Sequence, residues 1–330
     1  MKVNISIKTV ISGFLALFFV LYLLGVYWSF EPEKFDIRAE VTKAATVENV
    51  TPVVGYTTTT ALIRVTETLL HKPGGYLSND ALPPSVFLDN IPAWEFGALE
   101  MIRDMSLVMR QEFSRSQSQS VENKNLKVAQ PQLNIDNTSW AIPSAEGEYQ
   151  KAINELYAYR TALTQVNNQS AQFYARSDNL RAWIQEATKR LGSYSQRLSA
   201  SVGREQINVD LAGDRVAKQS TSSAASMALK TSWWVIDNEF YEARGACWAL
   251  LHFLKAIEID FNDVLDQKNA KVSVQQIIRE LEASQEPIWS PMILNGDGFG
   301  VLANHSLVMA NYISRANAAL IDLDDLLSQG

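Results

Sequence analysis

Apolar positions recur along this chain with helical spacing, and the pattern is most extreme at its start. From Val10 to Trp28 the sequence reads VISGFLALFFVLYLLGVYW, an uncharged apolar run. A helix of roughly 20 such residues crosses a bilayer, so the run predicts a transmembrane anchor over 10–28 behind a short tail over 1–9. Lys2 and Lys8 precede the run, whereas Glu31, Glu33 and Asp36 follow it with Lys34 and Arg38 among them. Basic residues ahead of a span favour a cytoplasmic N-terminus. Tyr22, Tyr27 and Trp28 suit an aromatic belt at the outer end. A cleaved signal peptide carries ~7–15 apolar residues and ends in small ones. This run is longer and ends in VYWSF, which predicts retention.

Beyond the anchor the polar and apolar positions predict helices and little or no sheet. Residues 29–56, with Val53 and Val54 set between Pro52 and Gly55, read as an irregular stalk. The remainder, 57–330, reads as one all-α domain. Ala61, Leu62, Val65, Leu69 and Leu70 predict a helix over Thr57–His71. A second begins near Pro92, with Asp89 and Asn90 placed to cap it, and runs to about Phe113. Residues 114–140 read as a long polar loop. From 144 to 202 apolar residues return at steps of three and four, among them Tyr149, Ile153, Leu156, Leu163, Leu180, Ile184, Leu191 and Leu198. That is the seam of a coiled coil, in one long helix or in two with a break near Ser177–Asp178. Residues 203–231 read as a linker. The middle part of Ser232–Gln267 is apolar nearly all round, which marks a helix buried in a bundle. Arg244 and His252 argue against a second span there. A short helix over Ser273–Ser284 and a last one from about Val301 to Leu327 complete an elongated helical bundle behind a single transmembrane helix.

Composition narrows the chemistry. The net charge of −7, with Lys and Arg scattered, excludes the broad basic surface that nucleic acid requires. One cysteine and three histidines leave no disulfide framework and little material for a metal site. In KPGGY, Lys72–Tyr76, the lysine precedes the glycines and a helix precedes both, the reverse of a phosphate-binding loop. Pro73-Gly74 instead suits a type II turn. NGDGFG, Asn295–Gly300, lacks the first and last acidic ligands of a calcium loop, since Ile293 and Asn304 occupy those positions. Glu239 and Glu242 share a helix face, but no Glu-x-x-His motif accompanies them, so they read as exposed acids. Glu258, Asp260, Asp263 and Asp266 read as a solvated face. Cys247 reads as a packing residue, because His252 lies on another side of the helix. Trp183, Trp233, Trp234 and Trp248 read as core. Trp140 and Trp289, in loops, join Lys72 and Tyr76 as candidate partner contacts. No catalytic, cofactor or metal residue is assigned.

LLHKPGGYLSNDALPPSVFLDNIPAWEFGALEMIRD, from Leu69 to Asp104, resembles a proteobacterial envelope family, domain of unknown function 2333. SWWVIDNEFYEARGACWALLHFLKAIEIDF and ILNGDGFGVLANHSLVMANYISRANAAL resemble the same family. The resemblance implies a Gram-negative inner-membrane protein with a periplasmic body, and it supplies no activity, cofactor or catalytic residue. The expected function is therefore a non-enzymatic envelope protein, held in the lipid bilayer through 10–28 and contacting other envelope proteins or itself. The alternatives are a peptidoglycan hydrolase using two carboxylates, or a small-molecule or lipid-binding bundle with an apolar cavity near Phe240, Trp248 and Phe253.

Overall fold

The structure, a computed structural model, describes residues 7–115, 121–165, 171–207, 226–290, 292–296 and 301–329. The apolar run forms α1, Ile7–Trp28, whose only buried residue is Gly25. Its 22 residues span about 33 Å at 1.5 Å each, enough for a bilayer core of ~30 Å.

Residues 29–56 are not a stalk. They contain α2, Ile37–Glu48, opened by Asp36 accepting from the Arg38 N–H and closed by left-handed Asn49. Only Ile37 and Ala45 of this helix are buried, so its apolar stripe is too thin to read from sequence. Glu40 of α2 pairs with Arg64 at 2.8 Å, and Glu48 meets the buried Arg160 at 2.5 Å. Both ion pairs lay the segment flat against the body.

The body is built on α3, Tyr56–His71, α4, Asn90–Val108, and α8, Ile236–Asp260. Asp89 occupies the N-cap position of α4 without a side-chain cap bond, and a π-helical turn over Met109–Phe113 extends that helix. The most extensive packing in the molecule is between α4 and α8. A Cβ on Gly97 would lie 1.9 Å from the Glu242 carbonyl oxygen, and one on Gly245 would lie 1.9 Å from that of Trp94. The two glycines thus let the backbones touch. Around them the rings of Trp94 and Trp248 stand 5.1 Å apart, both buried.

The other helices wrap this pair. The segment expected as a polar loop contains α5, Lys124–Leu133, capped by Asn123. Its buried Leu126, Ala129 and Leu133 fall at helical spacing, but polar neighbours and Pro131 obscure them in the sequence. The long seam is two helices, α6, Ala145–Leu163, and α7, Ser177–Ser199. Neither is a free arm: α6 packs on α5 and α3, and α7 on α11 and α4. Residues 204–207 and 226–229 of the expected linker pair as the antiparallel strands β1 and β2, the only strands among the described residues. After α8 come α9, Asn262–Gln267, α10, Lys271–Ser284, and α11, His305–Ser328, the last capped by Asn304.

Candidate functional site

The joint between α1 and the body gathers the chain's most unusual residues. It is built on the link from α3 to α4. Pro73 disfavours helical backbone at the residue before it, and Lys72 is extended at φ −64°, ψ 167°. The Gly75 N–H donates to the Lys72 carbonyl at 2.8 Å, with Gly74 at φ +86°. This is the expected type II turn, where glycine supplies the positive φ.

Its role lies in what it touches. A Cβ on Gly74 would meet the indole of Trp28 at 2.8 Å, inside the distance real side chains keep. The turn is therefore a notch that receives the last residue of α1. One helical turn earlier, Gly25 faces Pro84 and Leu88, which a Cβ there would meet at 3.5 and 3.8 Å.

A buried ion pair holds the notch in place. Lys72 Nζ lies 2.6 Å from Glu95 Oε1, with both side chains essentially inaccessible, and also donates to the Gly75 carbonyl at 2.7 Å. Glu95, on α4, accepts from the Leu77 and Ser78 N–H groups at 2.9 and 2.8 Å and from the Ser78 hydroxyl at 2.5 Å. Burial pushes the Glu95 carboxyl up and the Lys72 ammonium down, while their contact opposes both shifts. Backbone donors to a carboxylate favour its charged form. The pair thus fixes the turn to α4 through charge-assisted hydrogen bonds.

The residues just after α1 are equally committed. Glu31 takes a two-pronged contact from Arg244 at 2.6 and 2.8 Å, and Arg244 also donates to the Ser284 carbonyl at 2.8 Å. The Phe35 N–H donates to His252 Nε2 at 3.1 Å, and the two rings stack with centroids 3.9 Å apart. Because an N–H only donates, Nε2 must accept; the proton sits on Nδ1, which donates to the Trp248 carbonyl at 2.7 Å. Arg244 and His252, which interrupt the apolar run of α8, both grip the segment leaving α1, and Trp248 between them meets Phe35 edge-on at 5.8 Å.

Burial pushes His252 down to about 4 from its usual 6.5. Between those values the unfolded chain binds a proton that the folded one refuses, so stability falls as the pH drops. The contribution is whole above pH 6.5 and lost by about pH 4, a difference of about 3 kcal/mol at 1.36 kcal/mol per unit. Urea unfolding in detergent should therefore show wild-type stability falling toward that of His252→Gln on acidification. Parallel pH curves would contradict a neutral, buried His252.

The other sequence candidates divide. Lys72 and Tyr76 are buried. Tyr76 donates to the Asn137 carbonyl at 3.1 Å, so both are internal residues rather than surface contacts. Trp140 and Trp289 are 75% and 94% exposed. Trp183 and Trp248 are core as expected, but Trp233 and Trp234 are exposed, in the short turn that precedes α8. Asp260 is not on a solvated face; buried, it accepts from the Thr58 N–H and hydroxyl, each at 2.7 Å, and caps α3 across 202 residues. Glu239 and Glu242 are partly buried and share Arg197 at 2.9 and 2.6 Å. Burial pushes the Cys247 thiol up to about 12, leaving no thiolate near neutral pH. Of NGDGFG, residues 297–300 lie outside the described residues, and the Gly296 carbonyl accepts from Asn304 at 2.8 Å. No group of three or more His, Cys, Asp or Glu poised to hold a metal occurs among the described residues.

Fold and joint together define a helical-bundle protein with an apolar N-terminal helix seated in its body. The family described as "Uncharacterized protein conserved in bacteria (DUF2333)" matches residues 2–330, and the chain belongs to it. No curated protein and no solved structure matches the chain.

Proposed function

We propose that the chain is a single-pass inner-membrane protein with its N-terminus in the cytoplasm and its helical body in the periplasm. In this reading the body is non-catalytic and serves as an interaction or structural module of the cell envelope. The observation that carries the reading is the seating of Trp28 against Gly74. A signal helix is discarded, whereas here the body has a notch for the helix's last residue. The contacts of Glu31 and Phe35 continue the same attachment. The lysines that precede the run, Lys2 and Lys8, support the orientation.

The non-catalytic role is supported by how the interior polar groups are used. Glu95, Arg244, His252 and Asp260 each hold one segment to another. Exposed Trp140 and Trp289 are the side chains best placed to meet another envelope protein or a second copy, since aromatic residues are enriched at such contacts. A photo-crosslinking residue at 140 or 289 in living cells should give a discrete adduct, with none at Val272 of α10. Uncrosslinked chain alone from both positions would contradict the interaction role.

A further inference from the structure

We infer that the body carries a second membrane contact: the uncharged loop 81–88, with Leu82, Val86 and Phe87 at its tip, enters the outer leaflet beside α1, and Trp233 and Trp234 flank it at the headgroups. The inference rests on the reading of α1 as a retained membrane anchor. Leu82 and Phe87 are each 77% exposed and Val86 54%, in a stretch, ALPPSVFL, without a charged residue. The loop is not free to sit anywhere. Pro84 and Leu88 abut Gly25 of α1. Together Pro84, Phe87 and Leu88 form with Phe18, Leu21, Tyr22, Val26 and Ser29 a groove of about 490 Å³.

Position along the helix decides what fills that groove. Phe18 lies ten residues below Trp28, about 15 Å down the axis. A bilayer core of ~30 Å that contains most of α1 therefore reaches the wall formed by Phe87. The groove and the loop continue the lipid-facing surface of α1, so acyl chains are the occupant that the position supplies. Asp80 and Asp89 bracket the uncharged stretch. Carboxylates are expensive in hydrocarbon, which limits the depth of insertion.

Trp233 and Trp234 lie on the same side of the body. Their rings form a T-shaped pair at 5.3 Å and line a cleft with Asp89, at the end of the loop. Tryptophan, with an apolar ring and one N–H, favours the headgroup level. At 63% and 79% exposure these rings have little else to cover them.

The test uses spin labels on the full chain in vesicles of phosphatidylethanolamine and phosphatidylglycerol. Single cysteines replace Leu82, Phe87, Phe14 of α1 and Val272 in a Cys247→Ala background. Val272 lies beyond the far end of α8 from Trp233, next to Lys271, which contacts Asn262. Labels at 82 and 87 should be relaxed more by oxygen than by a water-soluble nickel chelate, like the label at 14 and opposite to that at 272. Chelate-dominated relaxation at 82 and 87, with oxygen dominant at 14, would overturn the second contact and leave the anchor standing. Chelate dominance at 14 would overturn the anchor reading and the inference with it.

Discussion

Gly245→Ala lowers the stability of the bundle by about 3 kcal/mol, against the usual sign of this substitution in a helix. Replacing a mid-helix glycine with alanine ordinarily stabilises by ~1 kcal/mol, because glycine loses more backbone entropy on folding. Here the added Cβ falls 1.9 Å from the Trp94 carbonyl oxygen and 3.0 Å from the Trp94 Cα. Backbone cannot rotate away as a side chain can. The α4 and α8 axes must separate, loosening the Trp94–Trp248 core, and overpacking of this kind costs ~1–3 kcal/mol or more. Gly97→Ala should behave alike, since its Cβ would strike the Glu242 carbonyl at 1.9 Å. Gly192 in α7 is the control: its nearest neighbour would be Asn317 at 3.8 Å, so Gly192→Ala should stabilise by up to ~1 kcal/mol. Thermal unfolding in detergent should separate the two classes, with Gly245→Ala melting on the order of 5–10 °C lower. A Gly245→Ala midpoint at or above wild type would contradict the close crossing.

Glu95→Ala costs at least as much for a different reason. It strands the Lys72 ammonium, only 1% accessible, and removes the acceptor from the Leu77 and Ser78 N–H groups. Removing one partner of a buried ion pair costs ~3–5 kcal/mol. Glu95→Gln costs less, because the amide keeps the shape and one acceptor while the charge is lost. Adding Lys72→Met to Glu95→Ala removes the stranded charge and should recover part of the loss. The coupling between the two positions should therefore exceed ~1 kcal/mol in a double-mutant cycle. Additive losses would mean that the two groups do not share one buried site.

Local periodicity and turn chemistry carry much of this fold. Thr57–His71 was legible as a helix to within one residue of Tyr56–His71, and the KPGG turn followed from proline's backbone limits and glycine's freedom. The all-round apolar run identified the middle of α8 as interior, and Ala243 to Leu254 are buried without a break. Thin stripes escaped: α2 buries Ile37 and Ala45 alone, and α5 carries a proline. Long-range pairings escaped entirely. Nothing near Lys72 announces Glu95, and nothing near Thr58 announces Asp260, because each pair is joined only by tertiary packing. The small residues Ala243, Gly245, Ala246 and Ala249 on α8 were a visible signal of close helix approach. The joint itself was half legible, since the sequence shows a turn of the right kind but not the tryptophan, 46 residues earlier than its glycine, that the turn accommodates.

In the proposed reading α1 stays part of the mature protein, seated through Trp28, Glu31 and Phe35. Intact mass of the chain extracted from bacterial membranes after an alkaline wash tests it most directly. The expected result is a membrane-retained polypeptide with residues 1–28 still attached. A chain released by the wash, with its N-terminus beginning after Trp28, would contradict it.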